Sequence, residues 1–190
     1  MNEDVVAVLD ANVLYPFYLR EFFMRLSKQA ELFQAKWTNE INDEWTRNLI
    51  ANKPHLSKKE IKQTVFWMNQ TIEDALIHPT EHLQFVKGLD LPDPRDGHVI
   101  AAAIAANASF IVTKNLKDFP AKILNRFGVE AIHPDNFVLR FESFSTELLA
   151  IIIKMSNQYT NPSMSPHDVL SRLANEIPKT CAKILAILDE

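Results

Sequence analysis

The stretch VVAVLDANVL, residues 5–14, decides how the rest of the chain is read. Val5 to Leu9 is short, aliphatic and β-branched, with no alternation of polar and apolar positions. That is the pattern of a parallel strand buried on both faces. The run ends on Asp10, and Asn12 follows as the chain turns toward a helix. A carboxylate at that point has two readings. It caps the helix, its oxygens accepting from backbone N–H groups that lack partners. Alternatively, it is one ligand of a metal-binding carboxylate cluster at the carboxyl edge of a parallel sheet.

Working outward, the apolar positions set the organisation. Phe17 to Phe33 follows a helical period, with Phe22, Phe23, Leu26, Ala30 and Phe33 on one stripe. KWT at 36–38 suits a brief strand. Asn39 to Ala51 places Ile41, Trp45 and Leu49 on one helix face. Ser57 and Glu60 form a capping box that opens a helix running to about Ile77. The loop LPDPRD at 91–96 leads into the alanine-rich helix GHVIAAAIAANA, then the buried strand SFIVT at 109–113. Pro120 to Phe127 reads as a short helix closed at Gly128, and VEAIHP as a further strand. Strand and helix alternate from residue 5 to about 133, which implies an α/β fold around a central parallel sheet. Beyond it, Pro162, Pro166 and Pro178 punctuate three expected short helices. The expected division is a domain over 1–140 and a helical C-terminal extension over 141–190.

Composition narrows the function. The chain has 190 residues, 47% hydrophobic and 23% charged, enough apolar material for a globular core. Only 3 glycines occur, with neither GxGxxG nor GxxxxGK[ST], so the glycine-rich nucleotide-binding loops are excluded. The one cysteine, Cys181, excludes an internal disulfide and a cysteine-based zinc site and fits a reducing compartment. Its place in the helical tail reads as structural. The acidic start, Met1 to Asp4, has no signal-peptide character. The runs HVIAAAIAANASFIV and ELLAIIIKM are too short or too interrupted to span a bilayer, so a cytoplasmic protein without membrane contact is expected. The tail run from Glu147 to Met155 reads as internal packing or a dimer contact. A net charge of −4 gives no bulk support for nucleic-acid binding. Local charge argues against it less: Lys53, Lys58, Lys59 and Lys62 cluster, as do Lys114, Lys117, Lys122 and Arg126.

The acids fall at telling places. Asp10 follows the first strand, and Thr113, Asn115 and Asp118 follow SFIVT, so both groups belong at the carboxyl edge where open parallel sheets place their sites. Asp96 opens the alanine-rich helix. Asp93, three residues earlier, reads as a loop residue supporting the site from outside rather than a ligand. Glu44 lies beside the Ile41/Trp45 face, with Glu40 one turn earlier as the competing choice. Each has a bland alternative as a cap, a turn residue or a solvated helix residue. Carboxylates that converge repel one another, and burial worsens the repulsion. A hard divalent cation, Mg²⁺ or Mn²⁺, resolves it through oxygen ligands. The histidines, His55, His78, His82, His98, His133 and His167, show no metalloprotease spacing, and His98 reads as a helix residue at the rim. No GxSxG elbow is present.

Together, VLDANVL, INDEWTRNL and DPRDGHVIAAAIAANASFIVTKNLKDFP resemble the PIN-domain ribonucleases, particularly toxins of the VapC type. The resemblance covers about residues 5–140 and implies a three-layer α/β/α domain. It implies Mg²⁺ or Mn²⁺ as cofactor, single-stranded RNA as substrate and a small antitoxin protein as partner. Asp10, Glu44 and Asp96 fall on the family's three principal acids, and Asn12 and Thr113 on its polar helpers. The chain departs from the pattern at Asn115, where the family commonly has Asp, and TKNLKDF differs in length from the usual loop. Asp118 then supplies a fourth carboxylate, or the site runs with three and the second metal position is lost. SPHDVLSRLANEIP resembles a helical extension found in one branch of the family. Lys114, Lys117 and Lys122 are weaker candidates for steering the RNA backbone. A non-catalytic PIN-fold module that binds RNA or a protein is the alternative, favoured by Asn115 alone. A haloacid dehalogenase-type phosphohydrolase is disfavoured because Asn12 stands where that family needs Asp.

Overall fold

The strands form where short aliphatic runs can bury both faces, and the helices cover them. The structure, a computed structural model, describes residues 5–85 and 94–190. In chain order the elements are β1 (Val6–Leu9), α1 (Ala11–Leu14), α2 (Phe17–Lys28), β2 (Gln34–Thr38), α3 (Asn39–Asn52), α4 (Lys58–Thr71), β3 (Leu76–Ile77) and α5 (Pro79–His82). After the undescribed residues come α6 (Gly97–Ala105), β4 (Phe110–Val112), α7 (Ala121–Leu124) and β5 (Glu130–Ile132). The tail holds α8 (Pro134–Leu139), α9 (Ser145–Gln158), α10 (Pro166–Leu173) and α11 (Pro178–Leu188).

Among the described residues the sheet has 5 strands in the order β3-β2-β1-β4-β5. Every pairing is parallel. The chain winds outward from β1 through β2 to β3, then returns to the other side of β1 for β4 and β5. The reversal falls between β1 and β4, where an open α/β sheet leaves a crevice beyond its strand ends. Leu9 pairs with Val112 in this register, so the next residues, Asp10 and Thr113, meet at that crevice. Helices flank the sheet in the three-layer manner expected. Ala101, Ala102 and Ala103 of α6 are fully buried, and their small side chains let this helix lie close against β1, β2 and β4.

Four expectations are corrected. The second helix stops at Lys28, short of Phe33, because Glu31 takes a left-handed conformation with φ 51°. Phe33 stays in the core anyway, 6.0 Å from the Phe23 ring and 5.0 Å from that of Phe137. The helix opened by Ser57 ends at Thr71 rather than near Ile77, and Leu76 and Ile77 become the edge strand β3. Ser57 does cap it, accepting from Glu60 N at 3.5 Å. KWT belongs to a longer strand, Gln34–Thr38. The tail contains α8 to α11 rather than three helices.

The tail shares one continuous hydrophobic core with the sheet. Leu148, Ile151, Ile152 and Met155 of α9 face inward, so the Glu147–Met155 run serves internal packing. A polar joint reinforces it. The buried Asp135 carboxylate of α8 accepts from Lys179 N at 3.0 Å, Thr180 N at 2.9 Å and Thr180 Oγ1 at 2.7 Å, capping α11. No helix among the described residues is long and apolar enough to cross a membrane.

Candidate active site at the β1–β4 edge

Asp10 leaves β1 in an extended conformation and N-caps α1, its Oδ1 accepting from Ala11 N at 2.7 Å. Capping is therefore real, but it uses one oxygen. The other, Oδ2, accepts from Asn12 Nδ2 at 2.5 Å and from Thr113 Oγ1 at 2.6 Å. Asn12 Nδ2 also reaches Thr113 Oγ1 at 2.9 Å, and Asn12 Oδ1 accepts from Lys114 N at 2.9 Å. Thr113 Oγ1 in turn accepts from Asn115 N at 3.0 Å. These contacts join residues about a hundred positions apart into one network, made possible by the β1–β4 register. Asn12 and Thr113 thus orient the carboxylate and tie the 113–118 loop to it.

Asp118 completes this group from the 3-10 turn Leu116–Asp118, where Asn115 Nδ2 donates to its Oδ2. Burial raises the Asp10 pKa above the ordinary carboxylate value; the hydrogen bonds from Thr113, Ala11 and Asn12 oppose this, and the Asp118 charge adds to it. Among the described residues neither acid has an ion-pair partner. The edge is oxygen-rich, with the Asp10 and Asp118 carboxylates acting on each other across it. A hard cation fits that donor chemistry.

The other predicted acids lie on different elements. Asp96 is the N-cap residue of α6, but its side chain makes no capping hydrogen bond. Glu44 projects from α3 toward α6, its Oε2 3.9 Å from His98 Nε2. Asp93 lies outside the described residues. Among the described residues no three His, Cys, Asp or Glu side chains stand close enough to hold an ion. The described arrangement is therefore the Asp10–Asp118 pair, with Glu44 and Asp96 on the neighbouring helices. Lys114 forms an ion pair with Glu176 at 2.8 Å, joining the loop to the segment just before α11. Lys117 and Lys122 are exposed.

Two features were not legible in the sequence. The histidines looked scattered, but α5 and α6 bring His82 and His98 beside the α3 acids. His82 is fully buried; its Nδ1 donates to His78 O at 2.9 Å, and its Nε2 lies 3.4 Å from Glu40 Oε2. Burial lowers the His98 pKa, opposed by the Glu40 charge and assisted by His82. Arg20, also buried, donates to Leu14 O at 2.6 Å and lies 4.6 Å from the Trp45 ring. Burial brings its pKa down to about 10. It holds the end of α1 against α3, and α1 carries Asn12.

The PIN domain family matches residues 6–117, more than half of the chain, and the chain belongs to that family. A protein of Mycobacterium tuberculosis (strain ATCC 25618 / H37Rv) named "Putative ribonuclease VapC50" is 38% identical over 90 residues. The match takes in 47% of this chain and 53% of that protein, so the chain spans about half the length of the relative it resembles.

Proposed function

We propose that the chain is a metal-dependent endoribonuclease that cleaves single-stranded RNA and acts as the toxin of a toxin–antitoxin pair. The observation that carries this is the buried Asp10 carboxylate at the β1–β4 switch, held by Asn12 and Thr113 and facing Asp118 with no cationic partner among the described residues. Membership of the PIN family and likeness to a protein named as a ribonuclease support the activity. The nuclease unit is 1–140, with 141–190 as a helical extension docked on it. A cytoplasmic location, a small antitoxin and a homodimer belong to the same reading.

Asp10, Asp96, Glu44 and Asp118 are the residues proposed to hold Mg²⁺ or Mn²⁺. When bound, such an ion lowers the pKa of a water and stabilises charge on the scissile phosphate. The chain's own part is positional. Thr113 and Asn12 fix the Asp10 carboxylate and Asn115 fixes Asp118, while Glu44 from α3 and Asp96 at the start of α6 are proposed to add their oxygens to the same ion. Lys114, Lys117 and Lys122 are weaker candidates for contact with the RNA backbone, Lys114 after exchanging Glu176 for phosphate.

The test is a labelled single-stranded RNA incubated with Mg²⁺ or Mn²⁺. Cleavage to fragments with 5′-phosphate and 3′-hydroxyl ends, stopped by EDTA and by Asp96→Asn, is the expected result. A pure protein inert with both metals on varied RNAs would turn the reading toward a PIN-fold binding module.

A further inference from the structure

The inner face of α4 is fully committed. Ile61 and Met68 are buried in the core, and Asn69 Oδ1 accepts from Trp37 Nε1 at 2.8 Å. The outer face carries two large aromatic rings that the core does not use. Phe66 is 51% and Trp67 59% exposed, and their rings meet edge to face with centroids 5.2 Å apart. One to two turns earlier on the same helix stand Lys58, Lys59 and Lys62, all exposed and with no ion pair among the described residues. These lysines share one concave surface with Gln63 and Phe66. Lys62 precedes Phe66 by four residues, about 6 Å along the axis. On the far side, Trp67 lines a groove between α2 and α4 with the half-exposed Phe17 and with Lys28. Glu60 is the acid in the first turn.

We propose that this outward face of α4 is a docking track for the single-stranded RNA that the Asp10 site cuts, with bases stacking on Phe66 and Trp67 and phosphates meeting Lys58, Lys59 and Lys62. The inference rests on the ribonuclease reading. Aromatic faces beside cationic side chains form the combination that holds single strands without reading sequence. The exposed residues of α4 are charged, amide, hydroxyl or aromatic and include no Leu, Ile, Val or Met, so the surface does not suit an apolar helix partner. In a chain of net charge −4 the positive strip is a local feature. Its placement is suitable too. α4 follows α3, the helix of Glu44, and α3 packs on α1, with Asn52 Nδ2 3.5 Å from Tyr15 Oη. The track therefore starts beside the elements that border the Asp10 crevice.

The tryptophans give a direct readout. Trp37 and Trp45 are fully buried, so Trp67 is the one solvent-accessible indole of the 3 in the chain. A short uridine-rich RNA, added in EDTA so that nothing is cut, should quench tryptophan emission and shield it from acrylamide. Trp67→Phe should abolish the optical change while retaining binding by fluorescence anisotropy. Trp67→Ala and Phe66→Ala should each weaken binding at least about fivefold. Replacing Lys58, Lys59 and Lys62 by Gln should reduce the salt dependence, the slope of log K against log [salt], by about 2. Unchanged affinity and slope without quenching would overturn the track. If these variants bind normally while the native protein cuts RNA, the track alone fails. Binding through α4 with no cleavage under any metal would instead sink the nuclease reading.

Discussion

Removing the Asp135 carboxylate should loosen the whole C-terminal half. In Asp135→Ala three hydrogen bonds to an anion are lost, from Lys179 N, Thr180 N and Thr180 Oγ1. Bonds to a charged group contribute about 1.5–3 kcal/mol each. Both backbone N–H groups belong to the first turn of α11, which has no intrahelical acceptor for them, and an anion there gains about 0.3–1 kcal/mol from the helix dipole. Two effects oppose the loss. The desolvation cost of the carboxylate disappears, and the Thr180 hydroxyl keeps its contact with the Asp135 carbonyl at 3.3 Å. The net cost is about 3 kcal/mol. For a chain of this size that lowers Tm by roughly 6–12 °C. Asp135→Asn retains an acceptor for Thr180 N and should cost about 1 kcal/mol. Thermal unfolding followed by circular dichroism at neutral pH measures all three proteins. An alanine variant melting within about 2 °C of the native chain would refute the view that this carboxylate joins α8 to α11.

Three further outcomes are expected. Asp118→Asn removes the charge that helps raise the Asp10 pKa. In EDTA at pH 7 it should therefore melt no lower than the native protein, while cleavage in Mn²⁺ falls at least about tenfold; a clear drop in Tm would show that Asp118 is structural. Arg20→Lys loses the stack over Trp45 and the fork toward Leu14 O, so urea unfolding should register a loss of about 2 kcal/mol. Cys181 has its thiol pKa pushed up to about 12, chiefly by burial. Thiolate forms only as pH rises through that value, so iodoacetamide should leave the native protein unmodified at pH 8 and label it rapidly in urea. Rapid labelling of the folded chain at pH 8 would contradict the packing of α11.

The central strands were legible because Val5–Leu9 and Phe110–Val112 are apolar without alternation, a pattern that few other elements share. Gly128 was legible for a different reason: its φ of 69° is the left-handed cap that ends the helical segment before β5. Asp10 and Thr113 were legible as residues just past strand ends, whereas the helper roles of Asn12 and Thr113 came from the family resemblance. What escaped notice depends on tertiary context. β3 is two residues long and exists only because β2 lies beside it, pairing Trp37 with Leu76 and Thr38 with Ile77. The stop at Lys28 depends on Glu31 adopting a positive φ, which no local glycine or asparagine advertised. The approach of His82 in α5 to Glu40 in α3 joins elements separated by α4 and β3, and such distant residues carry no periodic mark of their meeting.

The proposed nuclease activity requires the Asp10 edge to take up a divalent cation that cleavage needs. The decisive measurement is a Mn²⁺ titration of native and Asp10→Asn protein by calorimetry, with single-turnover cleavage of a labelled single-stranded RNA in the same samples. Saturable binding and cutting by the native chain, and loss of both in a folded Asp10→Asn protein, are the expected results. Full cleavage by Asp10→Asn, or native cleavage that persists in EDTA, would contradict a metal-dependent site at Asp10.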